Sequence, residues 1–280
     1  MYVRAPFLSY PRYLWCNISI SELLLSFLTY THLRMRIDLH NETVNIHSHL
    51  GGALLFVILL CTFPQVYLVH YASTTWVDLT VFTIFLSSAV FCLFSSAFYH
   101  TFTVYSREVS ARCNALDYSG IVVLIVGSFF PCIYYGFFCD MHFQAMYLSV
   151  IGLAGIGAAY IVLNPEYRKP THRGARTKVF IALGLSGVVP ISHAYITHGF
   201  YKLCYEMGFG WLLTSGALYI VGALLYANRI PERLSPGTFD RFFASHQIFH
   251  VHVVAAALAH YACILTAFDH WHSRLAECPT

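Results

Sequence analysis

Seven stretches of about 20 predominantly apolar residues recur along the chain, the length that crosses a hydrocarbon core at about 1.5 Å rise per residue. They lie near 49–69, 77–99, 116–138, 144–163, 179–200, 209–227 and 246–267. The stretch 14–33, LWCNISISELLLSFLTYTHL, is also apolar, but Glu22 and the interleaved Ser, Thr and Asn suit an amphipathic helix lying at the interface better than a span. Pro131 and Pro190 predict kinks within spans three and five. Gly152, Gly155, Gly157, Gly184 and Gly187 read as packing positions where neighbouring helices approach. The expected architecture is an all-α seven-transmembrane helix bundle over 41–268, preceded by a segment 1–40 carrying the interfacial helix and followed by a tail 269–280.

Composition points the same way. Charged residues are 10% of the 280, against roughly 25% in soluble domains, while 58% are apolar and 17% aromatic. A water-facing exterior cannot be built from that set. The net charge of +3 is too small to suggest nucleic acid. The first residues show no short apolar core followed by a small-residue cleavage site, so the first span is expected to direct insertion. Nine cysteines without a CxxC pair indicate neither a disulfide framework nor a cysteine metal cluster. Cys139 and Cys278 fall outside the spans on one side, where a single bridge is conceivable; the others read as small packing residues.

Basic residues sort by side. Fourteen lie in the N-terminal segment and in the loops after spans two, four and six, and two, Lys202 and Arg274, lie on the other side. That asymmetry places the N-terminus in the cytosol and the C-terminus outside. The orientation is the reverse of a G-protein-coupled receptor, and the nearest approach to that class's NPxxY is NPEY at Asn164, one residue short.

Ionisable residues within spans are functional candidates, because an isolated charge in hydrocarbon is costly. SSAFYH sets Ser96 and His100 four apart at the cytosolic end of span two. SHQIFH sets His246 and His250 four apart at the start of span seven. A spacing of four returns to nearly the same helix face, so each pair presents two groups together. Asp117, in NALDYSG, opens span three at the same depth. Three imidazoles with an open fourth position form the arrangement of a catalytic zinc site. His252 points away from His246, and His260 lies about 21 Å along the helix, so neither can join. His193 reads as a hydrogen-bonded packing histidine. Glu42, Asn45, His47 and His49 cluster before span one; they are read first as a helix cap and second as contacts to the site.

NETVNIHSHL before span one, SxxxH ending span two, LDYSG opening span three, and RIPERLSPGTFD followed by SHQIFHVHVV resemble the progestin and adipoQ receptor family. GSFFP and LGLSGVVP look most like its adiponectin receptors and their fungal and plant relatives. The resemblance covers roughly residues 40–268. It implies seven helices, a cytosolic N-terminus, and Zn2+ on His100, His246 and His250. It also implies that Asp117 holds or polarises the water at the metal and that Ser96 matches the serine of a wider superfamily that includes alkaline ceramidases. Two features depart from the family. His47 stands where an aromatic such as Trp is common, which would put an extra imidazole near the site. Residues 1–40 do not resemble the long cytosolic region of animal adiponectin receptors.

The function that the resemblance implies for these residues is a receptor in lipid signalling that hydrolyses a lipid amide of ceramide type, with Asp117 and Ser96 as catalytic residues. The alternatives are a receptor whose zinc is purely structural and a role in zinc or sterol homeostasis. The expected partners are a membrane lipid (ceramide, sphingoid base or free fatty acid), an extracellular protein ligand and a second copy of the chain, but no nucleic acid. The expected location is the plasma membrane, with endoplasmic reticulum or Golgi as alternatives.

Overall fold

The computed structural model describes residues 41–103, 107–167, 169–239, 241–273 and 278. The expected interfacial helix 14–33 and the rest of segment 1–40 lie outside the described residues. Among the described residues there are eight helices: α1 (Thr43–Val66), α2 (Trp76–Phe102), α3 (Arg107–Gly136), α4 (Met141–Leu163), α5 (Arg173–Leu185), α6 (Val188–Tyr205), α7 (Phe209–Asn228) and α8 (Ser245–Ser273). Short 3₁₀ turns follow α1 and precede α5. Counting α5 and α6 as one bent span, seven helical segments among the described residues are long and apolar enough to cross a membrane, so the chain is a multi-pass integral membrane protein.

The helices outrun the apolar windows that revealed them. α3 begins at Arg107 rather than near 116, and α8 continues through Ser273, into the segment expected as tail. A helix satisfies its own backbone in water as well as in lipid, so it need not stop where hydrophobicity does. The two prolines act differently. Pro131 lies inside α3 without ending it. Pro190 has no N–H to give the Ser186 carbonyl; Val189 N–H donates to that carbonyl instead at 3.2 Å, and the helix is interrupted between Leu185 and Val188. A second irregularity sits inside α6, where Gly199 holds φ 79°, ψ 167°, a region open essentially to glycine alone.

Sequential helices neighbour one another, and α8 returns to α1, closing a ring crossed by contact between α3 and α8. The core is aromatic. Phe63 stacks on Phe82 at 3.8 Å, and Phe268 closes edge-on against both. Large apolar side chains cover the outside as well: Ile156 is 68% exposed and Ile196 80%. Such a surface is stable only against lipid.

The expected small-residue positions account for little of the packing. A Cβ at Gly152, Gly157 or Gly184 would meet nothing within 4 Å, while Gly155 abuts Val126 and Gly187 abuts Phe129. Gly120 in α3 lies against the backbone of α2, where a Cβ would come within 2.8 Å of the Cys92 Cα. Cys92 is one turn before Ser96, and Gly120 is one turn after Asp117. This contact therefore sets the spacing of the functional residues. At the opposite end of the bundle Cys139 and Cys278 form a disulfide, with Cα atoms 5.5 Å apart.

Candidate metal centre

His100 stands in the last turn of α2; His246 and His250 stand in the first two turns of α8. The fourfold spacing in α8 brings its two imidazoles onto one face, and the packing of the ring turns that face toward α2. The three rings form a nearly equilateral triangle, with centroids 4.7, 4.8 and 4.9 Å apart. His246 Nε2 lies 3.1 Å from His100 Nε2 and 3.2 Å from His250 Nε2. A tetrahedral ion with metal–nitrogen bonds of about 2.0–2.1 Å spaces its nitrogens by roughly 3.3 Å. The three Nε2 atoms are thus placed to hold a metal ion.

The remaining ring nitrogens fix which face each imidazole offers. His100 Nδ1 donates to Glu42 Oε2 at 2.8 Å, and His250 Nδ1 donates to the Asn45 carbonyl at 3.1 Å. With the proton held on Nδ1, the Nε2 lone pair is free toward the centre, the usual way a protein sets a metal-binding histidine. Burial opposes ionisation of Glu42, but the His100 and Asn45 hydrogen bonds and the nearby imidazoles outweigh it and hold the pKa down at about 2. His49 stacks on His250 at 3.7 Å and donates from Nε2 to the His250 carbonyl at 3.2 Å.

The cluster before span one is thereby resolved. Glu42 occupies the N-cap position of α1, but its side chain makes no capping bond; it binds His100 and receives Asn45 Nδ2 at 2.6 Å. The capping role read first from the sequence gives way to contact with the site. Glu42, Asn45 and His49 follow an i, i+3, i+7 spacing, which places them on one face of the helix. His47 falls off this face: it is exposed and bonds the Thr43 carbonyl of its own helix at 2.8 Å. The extra imidazole expected near the site from His47 is not there.

Asp117 and Ser96 are both buried, and Ser96 is a hydrogen-bond partner of the Asp117 carboxylate. Both line a cavity of about 460 Å³ that His246 and His250 also reach. The cavity runs between α3, α5, α6, α7 and α8 as far as Phe209 and Ala267 at the opposite end, with mainly apolar walls. Its cytosol-predicted end gathers aromatic–cation pairs absent from the sequence reading. Arg173 lies 4.8 Å over the Tyr226 ring and Arg176 4.9 Å over Tyr118, and Tyr226 packs 5.0 Å from His246.

The excluded histidines are accounted for. His252 Nδ1 donates to the Ile248 carbonyl, and His260 Nε2 donates to the Ser128 carbonyl at 3.0 Å, in the turn before Pro131. His193 accepts from the Tyr147 hydroxyl at 3.0 Å, among Phe137 and Phe143.

A family model described as haemolysin-III related matches residues 37–261. The chain is 41% identical over 222 residues to the adiponectin receptor protein of Drosophila melanogaster, covering 79% of this chain and 49% of that protein. It is 41% identical over 227 residues to progestin and adipoQ receptor-like protein 1 of Caenorhabditis elegans, covering 80% and 51%. It is 37% identical over 237 residues to ADIPOR-like receptor IZH2 of Saccharomyces cerevisiae, covering 85% and 74%. The chain spans about half the length of the two animal relatives.

Proposed function

The chain belongs to the haemolysin-III-related family of membrane proteins, with the progestin and adipoQ receptors, and from that premise we propose that it is an adiponectin receptor-like protein that hydrolyses a lipid amide of ceramide type. His100, His246 and His250 would hold Zn2+, for which three imidazoles are a suitable donor set. One observation carries the reading: three imidazoles converge, and two of them, with a buried carboxylate and a hydroxyl, line one end of a long apolar cavity.

Zinc bound there would supply Lewis acidity, bringing a coordinated water's pKa from 15.7 to about 7 and polarising the amide carbonyl. Asp117 accepts the proton of the attacking water and delivers it to the departing amine nitrogen. Ser96 orients the Asp117 carboxylate through its hydroxyl. The apolar walls take up the acyl chain and exclude water from the carbonyl. The products are a fatty acid and a sphingoid base, both able to leave into the bilayer.

Purified Asp117→Asn protein with metal retained should lose ceramide turnover; unchanged turnover would remove the proposed base. A second reading treats the metal as a clasp, supported by its ligands coming from α2 and α8 and being tied down by α1. His250→Ala separates the two: lost thermal stability with a fully retained hydrolysis rate would favour the clasp. A role in zinc or sterol homeostasis is compatible with either. We place the histidine end in the cytosol, on the distribution of basic residues, and the protein in the plasma membrane.

A further inference from the structure

The end of the bundle opposite the histidines holds a second buried ionisable cluster that the metal chemistry leaves unused. Asp78, in the first turn of α2, has no exposed side-chain surface, and its carboxylate receives four donors. Oδ2 takes the Thr75 N–H at 2.8 Å and the Thr75 hydroxyl at 2.9 Å; Oδ1 takes the Tyr135 hydroxyl at 2.7 Å and His272 Nε2–H at 2.9 Å. His272 sits in the last turn of α8, about 33 Å along the helix from His250. Its Nε2 proton is committed to a carboxylate, so Nδ1 is an acceptor. The donor on it is the Ser73 hydroxyl, at 2.9 Å.

We propose that Ser73, His272 and Asp78 form a second catalytic site, in which Ser73 is a nucleophile toward carboxylic esters presented at the membrane surface. The arrangement is that of an activated hydroxyl: nucleophile bonded to base, and base held in one tautomer by a buried acid. The ring nitrogens exchange their usual places, which leaves the proton path intact because each nitrogen still meets the partner its tautomer requires. Neighbours lock the parts. Phe268 packs 4.5 Å from the His272 ring, and Trp271 beside it donates from Nε1 to the Tyr135 carbonyl at 2.9 Å. Thr74 bonds the Leu68 and Tyr71 carbonyls, both at 3.0 Å, shaping the loop that carries Ser73.

Asp78 would be well satisfied by Thr75 and Tyr135 alone. A purely structural cluster therefore gives no reason for an imidazole whose free nitrogen faces a half-buried serine at the loop edge. The backbone N–H groups of Ala72 and Ser73 carry no hydrogen bond among the described residues, so both are available to an oxyanion. Val69 and Trp76, 73% and 76% exposed, flank the loop with apolar surface of the kind that seats an acyl chain at the interface.

In the reaction, Ser73 Oγ bonds to the ester carbonyl carbon while its proton passes to His272 Nδ1. The bond from carbon to the alkoxy oxygen breaks, and that oxygen takes the proton from Nδ1 and leaves as alcohol. Water then repeats the exchange on the acyl-serine, giving a carboxylic acid and restoring the hydroxyl.

The test is labelling of the full chain in lipid nanodiscs with a fluorescent fluorophosphonate, with the labelled peptide mapped by mass, beside hydrolysis of a p-nitrophenyl ester. The expected label is on Ser73, unaffected by a metal chelator and lost in Ser73→Ala. His272→Gln should slow labelling by about 10³-fold. Asp78→Asn, acting through His272, should move the pH at which labelling is half-maximal. Thermal unfolding of Ser73→Ala reports folding separately, since removing one half-buried hydroxyl leaves the core intact. No label on the intact protein, or equal label on Ser73→Ala, overturns the proposal.

Discussion

Glu42 offers the sharpest test of how the histidine site is held. Its Oε2 takes the His100 Nδ1–H at 2.8 Å and the Asn45 amide at 2.6 Å, so the carboxylate both orients a ligand and ties α1 to α2. Glu42→Gln keeps an acceptor of similar shape but exchanges a charge-assisted bond for a neutral one, a difference of about 1–1.5 kcal/mol. At about 1.4 kcal/mol per decade that is roughly tenfold in metal affinity. The Glu42 side chain is 27% exposed, which favours the lower end of the 10- to 100-fold range typical of such partners. Glu42→Ala removes the acceptor outright and should reach the upper end, about 100-fold. Competitive titration of the purified protein against a fluorescent chelator at pH 7 measures both. His47→Ala is the matched control, since His47 is exposed and bonded within its own helix. Affinity of Glu42→Ala within twofold of the parent, or an equal loss in His47→Ala, would refute the reasoning.

Other outcomes follow from the same geometry. Gly120→Val should lower stability by about 1–3 kcal/mol through overpacking against the α2 backbone, whereas Gly152→Ala, facing open space, should leave the melting temperature unchanged or higher. Metal occupancy should fall on acidification, because a protonated imidazole cannot hold the ion. Glu42 contributes nothing to that loss above pH 4.5: its pKa is lowered from 4.5 to about 2, so its stabilisation is complete above 4.5 and disappears only as pH falls toward 2. Titrating metal content against pH checks this, and occupancy that does not fall with acid would contradict it. The sequon Asn41-Glu42-Thr43 lies at the histidine end and should stay unglycosylated in cells; a glycan there would reverse the proposed orientation.

The spans, the pairing of His246 with His250, and the recurrence of His100 and Asp117 at one depth were all legible in the chain. Each follows from a rule that reads along a single helix: about 20 apolar residues cross a bilayer, and a spacing of four shares a face. The exclusions of His252 and His260 rest on the same periodicity and rise. Contacts between helices are a different kind of fact. Nothing local says that the Glu42 carboxylate turns to His100, 58 positions away, instead of capping α1, or that His49 lies on His250 while His47 faces outward. Nor does composition identify Gly120, rather than Gly152 or Gly157 of span four, as a place where a glycine lies against a neighbouring helix's backbone. Ser73, Asp78 and His272 show the same division. Thr75 and Asp78 form a capping box readable within four residues, but their meeting with His272, 194 positions from Asp78, exists only because the ring of helices closes α8 against α1 and α2. Apolar periodicity determines which residues enter the membrane and on which helix face; tertiary packing decides which polar groups meet, because buried polar atoms must find partners across helices wherever the ring brings them together.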